Sequence, residues 1–114
     1  MKDRLGDKVR LLHMLNAIEE IENYTKDVEL DAFMSNSMMF NASIRQLEIL
    51  GEASNRLSDK VLQENKDIPW ARIVALRNFA IHEYFGIDSN AIWLVIKNKL
   101  PELKNQIASI IDNY

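Results

Sequence analysis

The sequence contains no cysteine, three glycines and two prolines in 114 residues. Without cysteine there is neither a disulfide framework nor a thiolate metal site, and a reducing cytoplasm is the simplest location for the chain. The scarcity of glycine and proline leaves few helix breaks, and the alternation of apolar and polar residues that marks a half-buried strand is missing. The sequence therefore predicts an all-α fold, formed as one domain over residues 1–114.

Long apolar runs are also absent from the sequence. No stretch approaches the roughly 20 apolar residues that span a bilayer, and the N-terminus does not show the basic and then apolar segments of a secretory signal. We therefore expect a cytoplasmic protein without membrane contact. The net charge of −3 argues against a broad basic surface for nucleic acid. It leaves room for a local phosphate site built from one or two arginines per chain.

Apolar residues recur at intervals of three or four, which predicts amphipathic helices. The predicted helices cover residues 5–24, 36–64 and 69–85 and the stretch from 89 to the C-terminus, with a short turn at 30–33. Asp67 with Pro69, and then Asp88 or Ser89, are expected to start the last two helices, and Pro101 is expected to bend or restart the final one. Short connections make neighbouring helices antiparallel, so the expected architecture is an up-and-down bundle of four or five helices.

Two features of the first two long helices predict how they pack. Along the first helix, the expected apolar side includes Val9, Leu12, Ile18 and Ile21, and His13 is interpreted as half-buried on its flank. In the second helix, a glycine costs about 1 kcal/mol relative to alanine. Gly51 therefore predicts a notch where another helix approaches closely.

Several polar and methionine side chains have simple expected roles. Arg45 with Glu48 and Glu52 with Arg56 have the spacing of ordinary surface ion pairs. The soft cluster of Met34, Met38 and Met39 is expected either in the core or at a contact between subunits.

The densest group of reactive side chains lies in Arg77-Asn78-Phe79-Ala80-Ile81-His82-Glu83-Tyr84-Phe85. In a helix, Asn78 and His82 share one face, and Arg77 and Tyr84 share the adjoining face. The four polar groups then span a wide arc rather than one point. This arrangement suits two separate roles, or a surface at which a second copy of the chain completes one site.

These residue types suit RNA cleavage without a metal ion. A histidine can take or give a proton near neutral pH, an arginine stays charged and binds phosphate with two parallel hydrogen bonds, and Asn78 can donate to phosphate or hold the imidazole. The reaction needs one group that takes a proton and another that gives one, and the helix carries a single histidine. A two-fold homodimer would supply the second histidine from the other chain. His82 and Glu83 lack the spacing of metal ligands, so neither a metal nor a cofactor is expected. An alternative that the residue types leave open is that Arg77, Asn78 and His82 are helix caps and surface groups without a catalytic role.

The same stretch resembles a known family. Extended to Asp88, it reads RNFAIHEYFGID and resembles the Arg-x4-His-x-Tyr signature of the HepT-like branch of the HEPN family. Four further segments resemble other helices of that family, so that the resemblance covers roughly residues 9–111: QLEILGEA at 46–53, IPWARI at 68–73, IW at 92–93 and LPEL at 100–103.

The resemblance implies a helical-bundle homodimer with a cleft at its interface, acting as a metal-independent ribonuclease toxin on RNA such as tRNA or mRNA. It implies that Arg77 and His82 are the catalytic pair and that Asn78 supports them. It also implies a minimal nucleotidyltransferase antitoxin as partner, which transfers AMP onto Tyr84. A modified Tyr84 would place bulk and negative charge two residues past His82, which would block the cleft and repel RNA.

Two alternatives use the same residues. In one, the chain is a non-catalytic, nucleotide-binding accessory subunit of a nucleotidyltransferase, and Arg77 and Tyr84 contact phosphate and base. In the other, the motif is a hydrogen-bond network that only holds a structural dimer together.

Overall fold

The computed structural model describes residues 4–78 and 88–114. The helices in these two ranges are α1 Arg4–Tyr24, α2 Leu30–Ser35, α3 Ser37–Ser54, α4 Asp59–Glu64, α5 Trp70–Ala75, α6 Ser89–Leu94 and α7 Leu100–Ile111. A 3-10 turn, Leu76–Asn78, extends α5, and a π-helix, Val95–Lys99, joins α6 to α7. The described ranges contain no strand, and the predicted all-α fold is confirmed. No helix within them is long and apolar enough to span a membrane.

The core lies where α3 and α7 pack against α1. The buried side chains of α1 follow one another at intervals of three or four residues: Leu11, Met14, Ile18 and Ile21. α3 contributes Leu47 and Leu50 to the core, and α7 contributes Leu103 and Ile107. At the edge of this contact, Lys104 Nζ of α7 donates to Glu22 Oε1 of α1 over 2.8 Å. This hydrogen bond and the charge of Glu22 raise the pKa of Lys104.

The first helix buries a different face from the one that the apolar pattern predicts. Ile18 and Ile21 are buried as expected, but Val9 is 37% exposed and Leu12 is 43% exposed. The reason is that the buried seam runs through Asp7, Leu11 and Met14. At about 100° per residue, Val9, two positions from both Asp7 and Leu11, points nearly opposite the seam, and Leu12, one position after Leu11, points well to one side of it. His13 is exposed, so its interpretation as half-buried is wrong.

Among the described residues, five of the six exposed large apolar side chains fall into two groups, and the sixth is Leu94 of α6. Leu5 is 73% exposed, and with Val9 and Leu12 it forms a stripe along α1, which we name the α1 stripe. Met34 is 50% exposed and Met38 is 82% exposed, whereas Met39 packs against the core. The methionine cluster is therefore divided, with one member against the core and two at the surface.

The single helix predicted over residues 36–64 is wrong, because the α-helix ends at Ser54 and resumes at Asp59. Its start is close to the prediction, with the Asn36 side chain accepting from Met39 N–H. The break is stabilised from a distant part of the chain: the Ser58 N–H donates to Asp7 Oδ1 over 2.8 Å, and the Ser58 hydroxyl donates to Asp7 Oδ2 over 2.6 Å. Since Asp7 is 3% exposed, its charge is stabilised by these hydrogen bonds in place of water.

The later helix boundaries follow the predictions in part. Asp88 caps α6 by accepting from Asn90 N–H and Ala91 N–H, as predicted. Pro101 lies in the first turn of α7, directly after the π-helix, so the predicted restart is confirmed. Asp67 is not the cap of α5, because Pro69 occupies that position and no side chain caps the helix. The helix predicted over 69–85 is α-helical to Ala75 and 3-10 to Asn78, and its remainder lies outside the described residues.

The hydrogen bonds of Asp7 give the first testable prediction. Asp7→Ala leaves the N–H and hydroxyl of the half-buried Ser58 without their acceptor, so we expect a loss of about 2–3 kcal/mol of unfolding free energy in urea. Asp67→Ala makes the same chemical change at an exposed loop residue and should stay within about 0.5 kcal/mol of the parent. Equal effects of the two substitutions would show that Asp7 does not stabilise the break between α3 and α4.

Candidate functional site

A cleft of about 520 Å³ opens between α1, α3 and the 3-10 turn. Its volume lies within the range of small-molecule and cofactor sites. Eight of its ten lining residues have polar or charged side chains. The lining consists of Arg10 and His13 from α1, Arg45, Glu48, Ile49, Glu52 and Ala53 from α3, Arg56 just beyond α3, and Arg77 and Asn78 from the 3-10 turn.

Gly51 determines how closely the 3-10 turn approaches α3. A Cβ atom at this position would lie 2.8 Å from Arg77 N, 2.9 Å from Ile73 O and 3.1 Å from Val74 O. The first two distances are shorter than real Cβ atoms show and the third is tighter than most such contacts, and all three neighbours are backbone atoms. The backbone of α5 and the 3-10 turn therefore lies directly on α3, as the predicted notch requires. This contact places Arg77 and Asn78 at the cleft.

The charged groups of the cleft are arranged around two carboxylates. Glu52 lies between two arginines, with Oε2 at 3.6 Å from an Arg77 guanidinium nitrogen and Oε1 at 3.9 Å from Arg56 Nε. Glu48 pairs with Arg45. Both predicted surface pairs are therefore present, and both line the same cleft as Arg77. Since these pairs are largely solvent-accessible, each contributes little to stability.

The cleft is positive although the chain is negative. Four arginines and two glutamates line it, which leaves two positive charges with His13 counted as neutral, whereas the whole chain carries −3. Cations gathered in a concave surface raise the local concentration of anions. The cleft is thus suited to a ligand that carries phosphate or carboxylate groups.

Two of the four predicted site residues lie in the described part of the chain. Arg77 and Asn78 are neighbours at the cleft, where the Arg77 side chain is 35% exposed and Asn78 is exposed. His82 and Tyr84 lie outside the described residues. The predicted pairing of Asn78 with His82 and of Arg77 with Tyr84 stays a prediction.

Sequence reasoning missed Arg10 and His13 as residues of the cleft. The spacing of Asp7, Leu11 and Met14 was the available signal, because it defines the buried seam of α1 and places residues 10 and 13 together on its flank. The exposed apolar residues Val9 and Leu12, which lie outside the seam, concealed it. Within residues 4–78 and 88–114, no cluster of three or more His, Asp or Glu side chains has the arrangement of a metal site.

Comparison with known proteins identifies the family of the chain. The profile of the family described as "Ribonuclease HepT-like" matches residues 14–110. The chain belongs to this family, which places its all-α bundle among the HEPN-like folds. No solved structure gives a significant match.

Three relatives show how far the similarity extends. "Putative RNase MJ1380" of Methanocaldococcus jannaschii is 36% identical over 100 residues, which cover 88% of this chain and 92% of the relative. "Probable ribonuclease HepT" of Thermococcus cleftensis is 34% identical over 109 residues, which cover 96% of this chain and 94% of the relative. "Gamma-glutamylcyclotransferase and putative RNase MJ0434" of M. jannaschii is 38% identical over 105 residues, and the chain spans 47% of that longer protein.

The Gly51 contact gives the second prediction. Alanine is the better helix former by about 1 kcal/mol, but the Cβ of Gly51→Ala would meet backbone atoms that cannot rotate away. We therefore expect a net loss of about 1–3 kcal/mol in urea unfolding and a displaced Arg77 amide signal in a ¹H–¹⁵N correlation spectrum. Ala42→Gly, a partly exposed position of the same helix, measures helix propensity alone. A Gly51→Ala protein that is more stable than the parent, with the Arg77 amide unmoved, would contradict this account.

Proposed function

We propose that the chain is a metal-independent ribonuclease whose catalytic residues are Arg77 and His82, supported by Asn78. The observation that carries the proposal is the placement of Arg77 and Asn78 side by side on a positive cleft in a negatively charged chain. Membership of the HepT-like ribonuclease family and the names of the ribonuclease relatives support it. The domain of this activity is residues 1–114.

The proposed reaction is an internal transfer of phosphate. The ribose 2′-oxygen attacks the adjacent phosphorus, one histidine takes the 2′-hydroxyl proton, and the bond from phosphorus to the 5′-oxygen breaks as that oxygen receives a proton. Charge grows on the phosphate oxygens, where the Arg77 guanidinium and the Asn78 amide donate hydrogen bonds. The products are a 2′,3′-cyclic phosphate and a 5′-hydroxyl, formed from RNA such as tRNA or mRNA.

The site is proposed to be completed in a homodimer, in which each protomer supplies one His82. The α1 stripe supports a dimer surface beside the cleft, since Leu5, Val9 and Leu12 are 73%, 37% and 43% exposed. Arg10 and His13, in the same turns of α1, line the cleft. Two α1 helices paired about a two-fold axis would bury both stripes and bring the two clefts together.

The proposed regulation acts through Tyr84. A minimal nucleotidyltransferase, encoded as the antitoxin of a cytoplasmic toxin–antitoxin pair, would transfer AMP onto the phenol. The added phosphate carries negative charge and the adenosine adds bulk. Both would oppose RNA in a cleft whose attraction for RNA depends on its positive charge.

A second candidate function is an accessory subunit that binds a nucleotide for a nucleotidyltransferase. The volume of the cleft favours it, because about 520 Å³ falls within the range of small-ligand sites. In that function Arg77 would contact a phosphate without any cleavage of RNA.

Cleavage of RNA in the presence of EDTA is the third prediction. Purified protein, with Tyr84 shown by mass spectrometry to be unmodified, should cut total cellular RNA and leave 2′,3′-cyclic phosphate ends. His82→Ala and Arg77→Ala should each lower the rate at least about a hundredfold, since each removes a proton-transfer group or a charge that stabilises the transition state. Arg72→Ala removes an exposed arginine of α5 that does not line the cleft and serves as the matched control.

The outcomes of this experiment separate the candidate functions. Cleavage that survives both His82→Ala and Arg77→Ala would overturn the ribonuclease proposal. Parent protein that binds ATP and never cuts RNA would favour the accessory subunit. A His82→Ala protein that remains folded and dimeric would exclude a purely structural role for the motif.

The α1 stripe gives the fourth prediction. Val9→Asp combined with Leu12→Asp should shift the protein from dimer to monomer in light scattering coupled to size exclusion, because carboxylates would be desolvated in an apolar interface. RNA cleavage should fall with the dimer. Met34→Asp combined with Met38→Asp places the same charges on the exposed methionines and should leave the dimer intact. Dissociation by the methionine pair alone would place the interface there instead.

A further inference from the structure

Arg10 and His13 share a position in the cleft that the proposed reaction does not use. They lie three residues apart on α1, both line the cleft with Arg77 and Asn78, and His13 is exposed to solvent. Residues three apart on a helix are neighbours on its surface. The two side chains therefore form one patch on the α1 wall of the cleft, while Arg77 and Asn78 lie on the wall formed by the 3-10 turn.

The charge of Arg10 is not balanced within the described residues. The two carboxylates of the cleft serve other arginines, with Glu48 paired to Arg45 and Glu52 shared by Arg56 and Arg77. Neither Arg10 nor His13 forms an ion pair with any residue in the ranges 4–78 and 88–114. A guanidinium offers five N–H donors in a planar fork that matches phosphate oxygens, and imidazole adds a further N–H donor.

We propose that Arg10 and His13 form a second phosphate subsite, which holds the RNA phosphate next to the one that is cleaved at Arg77 and Asn78. This inference rests on the proposed ribonuclease function. The strand then lies across the cleft from the 3-10 turn to α1, with two successive phosphates held on opposite walls. The subsite binds substrate and takes no part in proton transfer, so it affects KM more than kcat.

Substrate length provides the test. A dinucleoside monophosphate contains only the phosphate that is cleaved, whereas a tetranucleotide also contains its neighbours. Arg10→Ala should raise KM for the tetranucleotide about tenfold, which is a common loss for a hydrogen bond to a charged group. The KM for the dinucleoside monophosphate should rise far less, because that substrate loses only the general attraction of one positive charge in the cleft. His13→Ala should raise KM for the tetranucleotide by a smaller factor. Arg10→Lys should raise it less than Arg10→Ala does, because lysine keeps the positive charge. Arg72→Ala should leave the KM of both substrates unchanged.

Two results would overturn the subsite. Equal losses on both substrates would mean that Arg10 supports the fold or the chemistry, and no loss on either would mean that RNA does not reach α1. Extending the dinucleotide by one nucleotide on the 5′ or the 3′ side identifies the side on which the second phosphate lies.

Binding measurements keep this test separate from the proposed reaction. If the parent cleaves no RNA, the ribonuclease proposal fails, and the subsite is then judged by the binding of a 2′-O-methyl tetranucleotide. Arg10→Ala should weaken that binding about tenfold and reduce the slope of log K against log salt by about 0.7, as expected when one phosphate of a single strand is no longer neutralised by the protein. An unchanged affinity and slope would overturn the subsite in that case.

Discussion

The direct contact between the backbone of the 3-10 turn and α3 at Gly51 is the constraint on which the site depends. At this position even one added carbon would lie 2.8 Å from Arg77 N. Because the backbone is in contact, the point from which the Arg77 side chain extends into the cleft is fixed by the main chain. Glu52, one residue past the glycine, lies within 3.6 Å of the Arg77 guanidinium. One short stretch of α3 therefore determines both the position of Arg77 and the charge beside it.

The site also depends on an uneven distribution of charge, with a positive cleft in a chain of negative net charge. The chain as a whole would repel a polyanion at long range, and its net charge of −3 is screened beyond roughly 10 Å in ordinary salt. Inside the cleft, four guanidinium groups outnumber two carboxylates. Glu48 and Glu52 reduce the repulsion among the arginines with which they pair, Arg45, Arg56 and Arg77. Selectivity for an anion that fits the cleft, and not general adhesion to nucleic acid, follows from this distribution.

Local patterns predicted the local features of the structure. The interval of apolar residues predicted the start of α1 to within one residue, and the residue type of Asp88 identified it as a helix cap. Gly51 could be identified as a site of close helix packing because a glycine within a helix costs stability relative to alanine. The break before α4 was not predictable in this way, because its partner, Asp7, is 51 positions from Ser58. Arg77 and Asn78 could be selected from residue types and from the motif. Arg10 and His13 were missed, since their place at the cleft depends on which face of α1 meets α3, and the exposed Val9 and Leu12 concealed that face.

The cleft takes side chains from Arg10 to Asn78, and its α1 wall packs against α7, which ends at Ile111. During synthesis, α1 leaves the ribosome long before the residues that face it. A nascent or truncated chain that ends before α7 has an incomplete support for this wall and lacks the apolar cover of Leu11, Met14 and Ile18 on that side. The site is therefore completed only when α7 has been translated, so that translation products that end before α7 would lack part of the support of the cleft.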